Sequence, residues 1–405
     1  MGWIALALAL AVALAMRLFA LWLAWGAWHR GDPAIYESLA GALGAGHGLA
    51  LPAGGDGPLA PTAMYPPLLP LLLAGVGVLL PLNAATFCLV NSLVDGVAAF
   101  LLGRLAKQLG RPDLSLPVGL AYLVWPSIAF MAPLAYKEGL MIALLLAALV
   151  ALLEQARSPG LRWAALSGLA AGAIVLTQPA VAPMLPLSFL AVAPCFATRA
   201  GWLRASLIAA GVALLVLLPW WARNAILFGQ FIPFTASGGL ALWQGAHPAG
   251  GVVWHPPPAE WGARGELAAA DSARSAALRI IASDPWAYVA RCLQKFPASF
   301  FRANWATDQL LFATGQPWPA LARSALARIG PTVAELAVAV LALIGLVKSP
   351  RSFFARLLWV SLAQVVLFGI WFEYSERHRL FMTPFILLMA AALLASANRR
   401  PADPD

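Results

Sequence analysis

The sequence predicts an all-α integral membrane protein of about ten transmembrane helices, with interfacial helices in the first outer loop and one large outer loop. Three observations carry that prediction. The 405 residues are 61% hydrophobic and only 11% charged, where a soluble domain carries about 25% charged residues. Mean hydropathy is +0.80. Apolar runs of about twenty residues recur along the chain, the length a helix needs to cross a bilayer. A transmembrane barrel would alternate apolar and polar residues, and this chain does not.

The net charge of +9 comes from 26 basic against 17 acidic residues. In a membrane protein such a surplus is a topology signal, and it suits a phosphate-bearing membrane lipid; no nucleic acid is needed to explain it. Cys88 and Cys195 lie in apolar runs and Cys292 in an outer loop. Three cysteines so placed give neither a disulfide framework nor a metal spacing.

Taken in order, the first helix runs from Trp3 to Trp28. It lacks a basic leader and is too long for a signal-peptide core, so it reads as an uncleaved span. A polar, glycine-rich loop follows (29–83). Asp32 before Pro33 is the favoured N-cap and first-turn pairing, which predicts a short helix from Pro33 to Leu43. Its Ile35, Leu39, Ala42 and Leu43 form an apolar face that can lie on the bilayer. The apolar stretch 66–82 is broken by Pro66, Pro67, Pro70 and Pro81. Spans are then expected at 84–105, 114–130, 138–153, 163–177, 181–196, 205–221, 332–347, 354–372 and 380–397. Every second connection is basic: Arg104, Lys107 and Arg111; Arg157 and Arg162; Arg199 and Arg204; Lys348, Arg351 and Arg356; Arg399 and Arg400. All of these fall in the cytoplasm only if 66–82 does not cross, so that stretch reads as re-entrant or juxtamembrane.

The interval 224–330 is then outside, too long for a plain connector. One helix is expected from Gly265 to Ala282. Another opens at Asp284-Pro285 and runs to Phe301. In the second, Trp286, Val289, Leu293 and Phe296 recur at helical spacing beside Arg291 and Lys295, an interfacial pattern. The tail 401–405 reads as disordered. The chain thus divides into a membrane core with the first outer loop (1–223), the large outer loop (224–330) and the C-terminal spans (331–405).

Few residues can carry chemistry. Asp32 stands just beyond the first helix; it is either a helix cap or a carboxylate that takes a proton from an attacking hydroxyl at the membrane boundary. Glu138, after Tyr136 and Lys137, is a second acid that could orient an acceptor or a cation, or simply pair with Lys137. Arg223 and Asn224 follow Pro219-Trp220-Trp221; Arg223 can hold a phosphate or snorkel. Glu376-Arg377-His378-Arg379 follows Glu373 and Tyr374 in an outer loop. Two arginines there run against the orientation bias and suggest phosphate binding, or an ion network within the loop. Arg17 and Asp95 fall inside spans and must face protein or water. There is no phosphate-binding loop, dinucleotide fingerprint, zinc spacing or nucleophile elbow. A nucleotide-sugar domain is also lacking, so any sugar donor is membrane-borne.

An ordered set of segments now resembles the GT-C class of polytopic glycosyltransferases. More narrowly, it is similar to bacterial members of glycosyltransferase family 39, the dolichyl-phosphate-mannose–protein mannosyltransferase group. Arg17 is followed by Asp32, Tyr36, Ala40 and Gly46-His47-Gly48, then by Tyr65-Pro66-Pro67-Leu68-Leu69-Pro70. Glu138 opens a helix. Gly168 to Pro179 ends in Thr177-Gln178-Pro179, with Gln178 where the family commonly has Arg. Pro219 to Asn224, Phe228-Gly229, Gly238-Gly239 and Leu242-Trp243-Gln244-Gly245 form the most specific match. Asp284 to Tyr288, and Glu376 to Arg379 with Pro384, complete it.

The resemblance implies an inverting transferase that moves a sugar from a polyprenyl-phosphate donor to a glycolipid, glycan or protein acceptor. Asp32 would be the base, with Glu138 the second acid. Arg223, Arg377, Arg379 and Lys137 would meet the donor phosphate. Tyr36, Tyr65, His47, Asn224 and His378 would line the cavity. Many relatives carry two adjacent acids in the first loop, whereas here Pro33 follows Asp32 and Asp56 is distant. No cofactor or metal is firmly implied, and a divalent cation is left open. Competing readings are a transporter or flippase for a lipid-linked substrate, a lipid-to-lipid transferase and an inactive relative. The excess of arginine over lysine suggests a bacterial plasma membrane, with the site facing outward.

Overall fold

The computed structural model describes residues 3–26, 29–53, 57–249, 254–262, 265–300, 305–314 and 325–397. Asp56, the end of the first expected span at Trp28, Arg399, Arg400 and the tail 401–405 lie outside them. Eighteen α-helices and one two-stranded ribbon follow in order. They are α1 Trp3–Ala24, α2 Asp32–Gly44, β1 Ala50–Pro52, β2 Leu59–Pro61, α3 Leu68–Gly77, α4 Ala84–Gln108, α5 Ser115–Leu123, α6 Pro126–Ala129, α7 Glu138–Arg157 and α8 Leu161–Val175. Then come α9 Met184–Val192, α10 Arg199–Phe228, α11 Gly238–Ala246, α12 Ala259–Gly262, α13 Glu266–Ser283, α14 Pro285–Phe300 and α15 Trp305–Thr314. The chain ends in α16 Ala325–Lys348, α17 Phe353–Gln364 and α18 Thr383–Ala397.

The protein is an all-α, multi-pass membrane protein. Among the described residues six helices are long and apolar enough to cross: Trp3–Ala24, Ala84–Gln108, Glu138–Arg157, Arg199–Phe228, Ile329–Lys348 and Glu376–Ala397. The remaining expected spans are shorter or broken, and prolines explain most of the breaks. The segment 114–130 divides at Trp125 before Pro126 into α5 and α6. Leu161–Val175 and Pro179–Cys195 are separate short apolar helices. The end of α17 passes into a π-turn at Val365–Gly369. In the stretch 66–82, α3 has 10 residues. At 1.5 Å per residue it is about 15 Å long, half of a hydrocarbon core. Its first N–H donates to the carbonyl of Leu176 at the end of α8, and its Leu69, Pro70 and Leu73 are buried.

Successive helices α4, α7, α8 and α10 pack side by side, and α16 packs on α18. Gly168 and Gly172 show why α8 and α10 come so close. A Cβ at Gly168 would stand 2.3 Å from the carbonyl oxygen of Ala209, and one at Gly172 would stand 2.9 Å from that of Ala213. The first helix sits at the edge and buries one stripe, Ala13, Arg17, Ala20 and Ala24. Arg17 donates to Asp95 at 2.9 Å and to the carbonyl of Leu123 at 2.7 Å. The two intramembrane charges are therefore partners.

A second, smaller core caps the bundle. It joins Tyr36, Leu39 and Ala40 of α2 to Leu69 and Leu73 of α3, Phe87 of α4 and Trp220 of α10. The apolar face of α2 thus packs on α3 instead of lying on the bilayer. The long interval 224–330 grips the same loop: Glu266 of α13 accepts from the Thr62 hydroxyl and the Ala63 N–H, both at 2.6 Å. Within it α13 and α14 stand within a residue or two of the expected ranges.

Candidate active site

The site is built where three helix beginnings meet. Asp32 is the first residue of α2, not its cap. Gly31 holds the cap position with φ 66°, and no side chain caps the helix. The Asp32 carboxylate is turned outward instead, and Arg377 donates to it at 2.5 Å across 345 residues of sequence. Arg377 sits in a short 3-10 turn, Glu376–Met382, that leads into α18. Its second NH group lies 3.7 Å from Glu373. Its guanidinium lies 5.6 Å from the centroid of the Trp305 ring, which meets Tyr136 edge-on at 5.3 Å.

Lys137 and Glu138 arrive at the start of α7. The approach to them is pinned by Asn91 of α4, which donates to the carbonyls of Ala132 and Leu134 at 2.9 and 2.8 Å. Lys137 Nζ lies 5.6 Å from the centroid of the Tyr36 ring. Tyr65 stands edge-on to Tyr36 at 5.9 Å. The Tyr36 hydroxyl and Glu138 Oε2 are buried without a hydrogen-bond partner. Both are polar atoms for which a bound hydroxyl could supply the partner. Glu138 also lines a narrow cleft with Asn91, Asp95, Ile128, Met131 and Tyr136. His378 accepts from the Ser375 N–H at Nδ1, 3.0 Å away, so its neutral ring carries its proton on Nε2.

The electrostatics follow from that arrangement. Burial pushes the Asp32 carboxyl up, but Arg377 and then Lys137 more than offset it, leaving it below the ordinary 3.8. Burial pulls the Lys137 ammonium below its ordinary 10.5 against the attraction of Glu138 and Asp32. Burial, with Asp32 adding to it, pushes the Tyr36 and Tyr65 phenols up. At neutral pH the site therefore offers an ionised carboxylate beside a guanidinium, with neutral phenols around them.

Among the described residues, no three His, Cys, Asp or Glu side chains come together as a metal site. The carboxylates face Arg377 and Lys137. That donor set does not suit a divalent cation.

The structure thus brings together Asp32, Tyr36, Tyr65, Lys137, Glu138, Arg377 and His378. It places the other nominated residues elsewhere. His47 is exposed in the turn between α2 and β1. Arg223 packs over Trp220 and Phe228 and donates to the Leu49 carbonyl and to buried Asn224. Arg379 is buried against Glu335 at 3.1 Å and the Ser299 carbonyl at 2.7 Å. Tyr136, Trp305 and Glu335 were not nominated from the sequence. Glu335 was open to detection, as an acid inside an apolar run. Trp305 and Tyr136 carry no such signal.

With the geometry in place, comparison with solved structures is informative. The oligosaccharyltransferase of Archaeoglobus fulgidus in its apo form superposes with a TM-score of 0.57 at 14% identity, covering 98% of this chain and 51% of that one. The fold is the GT-C fold. The same archaeal enzyme, AglB, bound to an inhibitory peptide and a dolichol-phosphate, matches at 0.55 and 14% identity over 98% of this chain and 51% of its own. A form tethered to an acceptor peptide containing the NVT sequon matches at 0.55 and 13% identity, covering 96% and 49%. This chain spans about half the length of those structures. No family model and no curated protein matches its sequence.

Proposed function

We propose that the protein is an inverting glycosyltransferase that moves a single sugar, a hexose or pentose, from a polyprenyl-phosphate donor to a hydroxyl acceptor. The observation that carries this reading is the Asp32–Arg377 contact at 2.5 Å, beside Lys137. It sets an ionised carboxylate against two cations at the joined outer ends of α2, α7 and the turn before α18. The GT-C fold supports a lipid-linked donor, and the ordered segments that resemble family 39 support a monosaccharide on polyprenyl phosphate. The basic connections support a site on the outer face of a bacterial plasma membrane.

Asp32 accepts the proton of the acceptor hydroxyl. The oxygen attacks the anomeric carbon from the face opposite the lipid phosphate. The carbon–oxygen bond to phosphate breaks, and polyprenyl phosphate leaves with the bonding pair. Arg377 and Lys137 stabilise the charge that develops on it. In the empty site Asp32 and Arg377 satisfy each other. A donor phosphate competes for Arg377, and burial then makes Asp32 a stronger base when the substrate is in place. Glu138, with its free Oε2, orients the acceptor.

The test uses purified protein in detergent, radiolabelled polyprenyl-phosphate sugars and a membrane extract as acceptor, with Asp32→Asn alongside. Label reaching the acceptor with wild type alone supports the reading. Equal transfer by Asp32→Asn removes the base assignment. No transfer from any donor by folded wild type favours a transporter or an inactive relative.

A further inference from the structure

The segment that delivers Arg377 is held by the large outer interval at four successive residues. Lys295 of α14 is 1% exposed. Its ammonium donates to the carbonyls of Gly245 at 2.8 Å, Ile370 at 2.9 Å and Phe372 at 3.0 Å. Three donors meet three fixed backbone acceptors, so the group is saturated without a carboxylate. The Tyr288 hydroxyl, about two turns earlier on α14, donates to the Trp371 carbonyl at 2.6 Å. The Glu373 N–H donates to the Ala241 carbonyl of α11 at 2.8 Å. Gly245 completes the grip: a Cβ there would stand 2.6 Å from the carbonyl carbon of Phe372.

The line of contacts then runs straight into the site. The Glu373 carboxylate lies 3.7 Å from Arg377, and Arg377 reaches Asp32 at 2.5 Å. Burying an ammonium among neutral groups is unfavourable unless every N–H is bonded. An apolar side chain would pack α14 on this segment at lower cost. What a lysine adds is direction, since it fixes two carbonyls two residues apart, Ile370 and Phe372, and hence the course of the chain toward Arg377.

We propose that Lys295, with Tyr288, is a positioning residue for the Asp32–Arg377 pair. It locks residues 370–373 to the outer interval and so sets where the Arg377 guanidinium stands. The inference rests on the reading of Asp32 and Arg377 given above. The groups facing Asp32 are Arg377, Lys137, Glu138, His378, Tyr36, Tyr65 and Tyr136. None of them is changed by substituting Lys295 or Tyr288, so a change in Asp32 titration reports on where the segment carrying Arg377 and His378 stands.

The test compares wild type, Tyr288→Phe, Lys295→Met and Asp32→Asn. Tyr288→Phe removes one hydroxyl and keeps the ring, so it guards against Lys295→Met failing to fold. The first readout is the acid limb of kcat/KM, which reports the free enzyme. With Arg377 released, burial raises the Asp32 carboxyl. The limb should then move to higher pH, with kcat/KM lost first on its acid side. The second readout is amide hydrogen exchange across 370–379, which should quicken in both variants. A wild-type limb together with wild-type protection in folded Tyr288→Phe and Lys295→Met overturns the proposal, whatever their melting temperatures. If wild type transfers no sugar, or Asp32→Asn transfers as well as wild type, the reading of the site fails instead. Exchange across 370–379 then still decides whether the outer interval holds the Arg377 segment.

Discussion

Asp32-Pro33 and Asp284-Pro285 read alike in sequence, and each begins a helix. At the second step the carboxylate does what local chemistry favours: Asp284 accepts from the Ala287 N–H at 2.9 Å and caps α14. At the first step it does not. Asp32 leaves the N-terminus of α2 uncapped and takes Arg377 instead. Forgoing a cap costs about 1 kcal/mol. The proline sets where both helices start, but a residue 345 positions away decides what one carboxylate is free to do. A cap given up is thus a better pointer to chemistry than the acid itself.

The largest effect should come from breaking the comparison at its catalytic end. Asp32→Asn should lower transfer by about 10²–10⁴, the range for loss of a general base, with α2 intact by circular dichroism. Turnover within tenfold of wild type would put Asp32 back among ordinary helix starts. Next comes Arg377→Ala. Asp32 is depressed in the fold, so the pair contributes stability above the unfolded carboxyl value, which is lost as pH falls through the lowered one. Without Arg377 the desolvation of Asp32 is opposed only by Lys137 and His378. The acid limb of kcat/KM should then move to higher pH, and an unmoved limb would separate Arg377 from Asp32.

Lys137 gives a smaller, alkaline signature. Its ammonium is held below 10.5 by burial, so donor affinity should weaken as pH rises through that lowered value, and Lys137→Arg should remove the decline. A decline that survives in Lys137→Arg belongs to another group. The smallest effect belongs to the other Asp-Pro step. Asp284→Ala should cost about 1 kcal/mol in melting experiments and leave the pH profile of transfer in place.

Much of the fold was legible because hydropathy is summed over whole segments. What hydropathy could not give was continuity. Pro126 and Pro183 divide expected spans into shorter pieces. At the site, Asp32, Lys137, Glu138 and Arg377 were each nominated singly, from position at a helix end. Their assembly was not legible, since nothing in the sequence pairs the first outer loop with the last. Arg223 and Arg379 carry the same local signal as Arg377. They differ only in their partners, a Leu49 carbonyl and Glu335. Lys295 looked like the basic flank of an interfacial helix. Its three carbonyls come from Gly245, Ile370 and Phe372, a set no periodicity predicts.

The Arg17 pairing has a consequence for how the chain is made. Asp95 and the Leu123 carbonyl follow Arg17 by 78 and 106 residues. When α1 leaves the ribosome, its arginine has no partner beyond the Ala13 carbonyl of its own helix. Helix α1, made before these partners, therefore cannot take its final seat until α4 and α5 have been inserted. Substituting Asp95 should show up in pulse-chase assembly of newly made chains, as a first helix that stays accessible to lipid-side labelling after translation has finished.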